Sequence, residues 1–177
     1  MKRLTLLRHA KSSWNDGAIR DFERPLSPRG IKAAPLIGQY LRDQNLVPEL
    51  ILCSPAKRTR ETLARTMPHL SVETKVIFDP MIYSAGMGGS ILDLLPTVAE
   101  AYGHVLIIGH NPTMQELALT LTNWQEGTES LRQKLTRKFS TCAVASLEFD
   151  IACWNKAKTS GGLITHFMTP KMLTVTG

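Results

Sequence analysis

Four branched apolar residues in a row, Val105-Leu106-Ile107-Ile108, constrain this chain more than any other stretch. A strand with no polar alternation is covered on both faces, so its sheet has helices on either side. Gly109 breaks the run, His110 follows at its carboxyl end, and Pro112 starts a new segment. Asn111 or Thr113 is placed to cap a helix over residues 114–121. The pattern recurs. Leu4-Thr5-Leu6-Leu7 runs into Arg8-His9-Ala10, and Leu50-Ile51-Leu52 runs into Cys53-Ser54-Pro55, with Arg58 one turn into the next predicted helix. Ser54 suits a helix cap and Pro55 a first helical turn.

In open α/β sheets, ligands bind beyond the carboxyl ends of the strands. Two strands here end in a histidine, and two strand-to-helix junctions supply arginines. Such a set suits a phosphate anion: arginine holds oxygens in a fork, and histidine attacks phosphorus or relays a proton. Each piece alone has a plainer reading. Arg8-His9 alone reads equally as a solvated turn, Lys57, Arg58 and Arg60 as a solvated basic helix face, and His110 as a structural histidine. Repetition of one pattern at three strand ends favours the shared site.

A coarse map places strands at about residues 3–7, 50–53, 72–78, 105–108, 143–149 and 163–167. The third alternates like an edge strand. A loop over residues 11–25 precedes a helix capped near Ser27, whose Ile31, Ala34, Ile37, Gly38 and Leu41 share one face. Further helices are expected over 57–67 and 91–102, and residues 120–140 read as polar, partly helical and flap-like. Strands alternating with helices predict a three-layer α/β/α sandwich around a mostly parallel sheet. The two closing strands are expected to pair antiparallel with the rest. The length, 177 residues, suits one domain over 1–177.

Composition excludes several classes. The basic start is followed by an apolar run too short for a signal peptide, and no stretch approaches a membrane span; a soluble cytoplasmic monomer is the simplest expectation. Three sparse cysteines argue against a disulfide framework. Four residues separate Cys53 from Arg58 and six separate it from Arg60, so it misses the cysteine, five residues, arginine spacing of cysteine-based tyrosine phosphatases. It reads as a buried strand-end residue. His104 and His110 lack acidic or cysteine partners at ligand spacing, so no metal site is expected. The net charge of +6 raises nucleic acid as a partner, but only 6% of residues are aromatic and no base-stacking pattern appears. An anionic substrate or an acidic protein partner fits the charge at least as well. Gly86, Gly88 and Gly89 complete no dinucleotide or nucleotide-loop fingerprint and read as a mobile loop at the site's rim. Trp14, in the loop after His9, is placed to line a pocket wall but is expected rather to pack over the core. Lys11 and Asn15 are placed to reach phosphate or a partner if they are not simply solvated.

In order and spacing these segments resemble the histidine phosphatase superfamily, and within it the small phosphohistidine phosphatase branch of SixA-like proteins, over nearly the whole chain. Arg8-His9-Ala10 resembles the arginine-histidine-glycine signature. Asp21-Phe22-Glu23-Arg24-Pro25-Leu26-Ser27 is similar to the branch's D-x-x-R-P-L-[ST] segment. Ser54-Pro55 with Arg58 and Thr62 resembles S-P-x-x-R-x-x-x-T, Gly109-His110-Asn111-Pro112 the second histidine motif, and Pro170-Lys171 the closing P-K-x-L. The resemblance implies a phosphoglycerate-mutase-like fold and a phosphatase working through a phosphohistidine intermediate. His9 would be the nucleophile. Arg8, Arg58 and Arg24 would bind the phosphate oxygens. His110 would complete the pocket and stabilise charge. No metal or other cofactor is required, because guanidinium groups supply the positive charge.

One departure bears on substrate. Many relatives carry a glutamate after the third strand that protonates an alkoxide leaving group. Here the stretch over residues 82–90 has no carboxylate; Asp79, Asp93, Asp21 and Glu23 are the nearest. General acid catalysis contributes roughly 10²–10⁴ in rate, and its loss penalises poor leaving groups most. Protein phosphohistidine, with its labile P–N bond, is therefore the expected substrate, in a phosphorelay or phosphotransfer protein. The alternatives are a small-molecule phosphomonoesterase, with Asp21 or a water as proton donor, and a non-catalytic phosphate- or phosphoprotein-binding module.

Overall fold

The computed structural model describes residues 1–14, 17–71, 73–85 and 91–174. Six strands form one sheet: β1 (Lys2–Arg8), β2 (Leu50–Cys53), β3 (Lys75–Phe78), β4 (His104–Gly109), β5 (Val144–Phe149) and β6 (Leu163–Met168). Their spatial order is β3-β2-β4-β1-β5-β6. β3, β2, β4 and β1 are parallel neighbours, and β5 is antiparallel to both β1 and β6. Only β5 is therefore reversed, and β6 again runs with β1. The expectation that both closing strands oppose the rest is corrected to one, because two successive antiparallel pairings restore the original direction.

Seven helices cover the sheet among the described residues: α1 (Pro28–Asp43), α2 (Lys57–Thr66), α3 (Pro80–Ser84), α4 (Thr113–Leu121), α5 (Glu129–Arg137), α6 (Ala157–Ser160) and α7 (Pro170–Leu173). Period-two alternation divides the core. Leu7, Ile51, Cys53, Leu106 and Ile108 pack with Ala34, Ile37 and Leu41 of α1 and Leu63 of α2. Leu4, Leu6, Leu52, Val105 and Ile107 face the other way, onto Met114, Leu117 and Leu121 of α4, Leu135 of α5 and the buried Trp154. A fully apolar β4 is explained by these two layers: all six of its residues are buried.

Local chemistry sets the helix ends. Ser27 caps α1 as expected, accepting a hydrogen bond from the Gly30 amide. The other expected caps are corrected. α2 starts at Lys57 after Ala56, with no side-chain cap, and Pro55 precedes the helix. Ser54 faces His110 instead. α4 follows Pro112, again without a side-chain cap, and Asn111 turns to Gln115 and the Phe139 carbonyl. The helix expected over 91–102 is two single turns of 3-10 helix, Ile91–Asp93 and Leu95–Thr97. Pro96 lies in the middle of that stretch, where it supplies no amide hydrogen and disfavours helical geometry at Leu95. β3 is an edge strand, as its alternation implied, and starts at Lys75.

The segment over 120–140 is tied down rather than flap-like. Leu135 is fully buried, and the Gln115 side chain donates to the Leu135 and Thr136 carbonyls. Trp14 does not pack over the core: it is 70% exposed, and the Arg24 guanidinium lies on its ring, 3.2 Å from the centroid. Asn15 and the glycine-rich stretch 86–90 lie outside the described residues.

Candidate active site

The strand register builds the site. Arg8 pairs with Gly109, and Cys53 with Ile108, so β1, β2 and β4 end at one level. Two backbone hydrogen bonds extend the ladder past those ends: the His9 amide donates to the Gly109 carbonyl at 3.0 Å, and the Ser54 amide to that of Ile108 at 3.0 Å. His9, Ser54 and His110 thus leave the sheet side by side. The two imidazoles have ring centroids 5.1 Å apart.

His9 is 8% exposed. Its Nδ1 lies 2.8 Å from the Ala10 carbonyl oxygen. A carbonyl only accepts, so Nδ1 carries the proton and the Nε2 lone pair is free. Burial pushes the His9 pKa down to about 3, and His110, Arg58 and Arg8 lower it further against the opposing Ala10 hydrogen bond. The ring is therefore neutral at physiological pH. The Ala10 amide donates to Thr62 Oγ1 at 3.0 Å, and that hydroxyl donates to the Arg58 carbonyl, so the loop that carries His9 is pinned to α2.

His110 Nε2 lies 2.8 Å from Ser54 Oγ. Its pKa is also down at about 3, first from burial and then from Arg58 and Arg8, with Asp21 opposing. His110 Nδ1 and Arg8 Nε are buried with no hydrogen-bond partner among the described residues. Buried polar atoms rarely stay unpaired, so both are free to meet a bound group. Arg8 is otherwise held by the Phe139 carbonyl at 2.8 Å, and burial lowers its pKa.

Asp21 organises the arginines. Its carboxylate takes Arg58 on Oδ2 at 3.0 Å and Arg24 on Oδ1 at 2.8 Å, while its carbonyl takes Arg58 Nη1 at 2.6 Å. Tyr83 donates its hydroxyl to Asp21 Oδ2 at 3.1 Å and sets its ring edge-on to His110, centroids 5.7 Å apart. Partial burial works to raise the Asp21 pKa. The Arg58 charge and the hydrogen bonds from Arg58, Tyr83 and Arg24 outweigh it and hold the carboxyl below the usual carboxylate range.

The structure thus brings His9, His110, Arg8 and Arg58 together. Arg24 stands one step back: its nitrogens meet the Ser13 carbonyl, Asp21 and Ser12 Oγ, and it joins the group through the shared Asp21. The loop reaches this position by folding back, with the Ser13 amide on the Pro25 carbonyl and the Ser27 amide on that of Lys11. Sequence reasoning missed Tyr83 entirely and gave Ser54 only a capping role. Nothing local marks Tyr83, whose partners Asp21 and His110 come from distant segments. Cys53 is buried as expected, and burial drives its thiol to about 12, which leaves no thiolate for nucleophilic chemistry. His104 is a satisfied core histidine between Thr5 Oγ1 and the Val47 carbonyl. Among the described residues no cluster of histidine, cysteine and acidic side chains is arranged to hold a metal ion, and no helix is long and apolar enough to cross a membrane.

A mostly parallel sheet between helical layers, with two histidines and two arginines gathered at its strand ends, defines an α/β protein of phosphoglycerate-mutase-like fold. Over residues 4–82 the chain matches the histidine phosphatase superfamily (branch 1). Uncharacterized protein Rv1276c of Mycobacterium tuberculosis is 34% identical over 141 residues, covering 80% of this chain and 85% of that one. Phosphohistidine phosphatase SixA of Escherichia coli K12 is 25% identical over 146 residues, covering 82% of this chain and 84% of that one. The structure of a Nakamurella multipartitia protein provisionally assigned as phosphohistidine phosphatase SixA superposes with a TM-score of 0.79 at 29% identity over 96% of both chains. The chain belongs to the histidine phosphatase superfamily, and that membership supports phosphatase activity.

Proposed function

We propose that this protein hydrolyses phosphohistidine in other proteins through a covalent phosphoenzyme on His9. One observation carries the reading: a buried, neutral imidazole with its Nε2 lone pair free lies beside His110 and within the fields of Arg8 and Arg58. In the first step the Nε2 lone pair attacks phosphorus in line, and the P–N bond to the substrate breaks with its electron pair moving to the leaving imidazole. In the second step water attacks phosphorus, the P–Nε2 bond breaks with its electron pair returning to Nε2, and phosphate leaves with one proton of the water while the other passes to solvent. Arg8 and Arg58 bind the phosphoryl oxygens, His110 supports the charge of the transition state, and Arg24 adds its charge through Asp21. Positioning and electrostatics carry most of such a transfer, and guanidinium groups supply them without a metal.

The substrate class follows from the leaving group. Asp21, the carboxylate in the site among the described residues, is ionised and bound to two guanidinium groups, so it is a poor proton donor. A phosphohistidine substrate needs no such donor, because its imidazole arrives protonated. The SixA name carried by the Escherichia coli relative agrees with this reading. The test compares a phosphohistidine peptide with an aryl phosphate ester, chelator present and His9→Ala as control. Turnover of the peptide, insensitive to chelator and lowered roughly 10³-fold or more in the variant, is expected. Faster ester cleavage would establish a small-molecule phosphomonoesterase instead. Phosphate binding without turnover would establish a binding module.

A further inference from the structure

Beside the site lies a cleft of about 620 Å³ whose charged lining, among the described residues, is basic throughout: Arg8, Lys11, Arg29, Arg137, Lys138 and Lys171. None of the six forms an ion pair among the described residues. Like charges gathered without counter-charge repel one another, so the arrangement lowers its energy by receiving an anion. Four separate segments build it: the loop after β1, the start of α1, the end of α5 with the residues after it, and the start of α7.

The cleft is joined to the catalytic centre. Arg8 belongs to both, since it lines the cleft and its charge acts on His9. The wall after α5 is stitched to the same backbone. Phe139 accepts from Arg8, and the Cys142 amide, turned by a left-handed φ of 62°, donates to the Arg8 and His9 carbonyls. An occupant of the cleft therefore meets Arg8, the residue the cleft shares with the surroundings of His9.

We infer that this cleft docks an acidic segment flanking the phosphohistidine of the protein substrate, an inference that rests on the function proposed above. Five of its six cationic residues are exposed, with only Arg8 partly buried. That suits carboxylates on a protein surface, steered in and held with little desolvation. A small polyanion bound tightly in a pocket would instead need buried, pre-positioned donors. Among the described residues no aromatic side chain lines the cleft on which a nucleic acid base would stack.

Two phosphohistidine peptides test this, one flanked by four glutamates and one by four serines. The wild-type protein is expected to favour the acidic peptide at least ten-fold in kcat/KM, through KM, with the preference shrinking as salt rises from about 50 mM to about 0.5 M. Lys138→Glu combined with Lys171→Glu is expected to abolish the preference and leave the serine peptide unchanged. Equal handling of both peptides by the wild type, or equal slowing of both by the double variant, overturns the inference. If neither peptide is hydrolysed, the phosphatase reading fails and the cleft is decided by fluorescence anisotropy with the unphosphorylated acidic peptide. Binding lost in the double variant upholds an acidic-segment site. Absent binding, or tighter binding of a single-stranded oligonucleotide of equal charge, overturns it.

Discussion

At the scale of single residues, the site is governed by where protons sit. His9 holds its Nδ1 proton on the Ala10 carbonyl, and burial keeps the ring neutral down to about pH 3. A histidine nucleophile, the role proposed for His9, fails when protonated, so its pKa would set the acid limb of kcat/KM, which reports the free enzyme. That limb is expected well below the ordinary imidazole value of about 6.5, measured with a substrate whose own ionisation lies elsewhere; a midpoint near 6.5 would refute the buried-neutral assignment. Asp21 gives a second prediction. Because it is an ionised anchor for Arg58 and Arg24, Asp21→Asn should slow phosphohistidine and ester cleavage by the same factor, roughly 10-fold, the size expected for loosening a charged hydrogen-bonded anchor. Selective loss of ester cleavage would show instead that Asp21 donates a proton. Tyr83→Phe removes one hydrogen bond to a half-exposed carboxylate and should move these rates much less.

At the scale of elements, the site depends on close approaches that only small residues permit. Gly30, in the first turn of α1, faces the Lys11 carbonyl, and a Cβ built there would lie 2.2 Å from that oxygen. The contact is with backbone, so a side chain swing cannot relieve it. Gly30→Ala should cost about 1–3 kcal/mol, as overpacking does, read as a lower urea midpoint. It should also weaken phosphate binding by displacing the loop that carries Lys11, Ser12 and Ser13. Gly38 plays the same part where α1 crosses the end of α2, its would-be Cβ 2.9 Å from the Thr66 carbonyl and 2.9 Å from His69. These contacts bring α1 against both the β1 loop and α2, and so hold Arg58 and His9 in one frame.

At the scale of the whole molecule, three buried histidines make the fold acid-sensitive. His9 and His110 are lowered to about 3 and His104 to about 4, each chiefly by burial. In the unfolded chain each titrates near 6.5, so between that value and the folded one the unfolded state holds more protons. Stability is then full above about pH 6.5 and falls as pH drops toward 4, by up to roughly 1.4 kcal/mol per pH unit for each histidine. Urea midpoints measured from pH 7.5 to 4.5 should fall steadily, and His104→Gln should shallow the slope without touching the active centre. A flat profile would contradict the burial of these rings. The net charge of +6 adds to the same trend, since protonation on acidification increases self-repulsion.

Much of the architecture was legible in local patterns. Unbroken apolar runs marked β1, β2 and β4, because a strand covered on both faces has no polar alternation. Ser27 marked the start of α1, because capping is a contact between residues three apart. The same logic failed where a polar side chain had a better distant partner: Ser54 faces His110, and Asn111 faces Gln115 and Phe139, so neither caps its helix. The residue types gathered at the strand ends, two histidines and the arginines, were also set by sequence alone. Only the tertiary structure decided how they stand toward one another. The register of three parallel strands brought His9 beside His110, the folded-back loop put Asp21 between Arg24 and Arg58, and α3 set Tyr83 against both Asp21 and His110. The basic cleft likewise exists only once four segments far apart in the chain converge on Arg8. Local sequence encodes contacts within a turn or two of backbone; proximity, burial and the pKa values that follow from them arise only when the sheet closes.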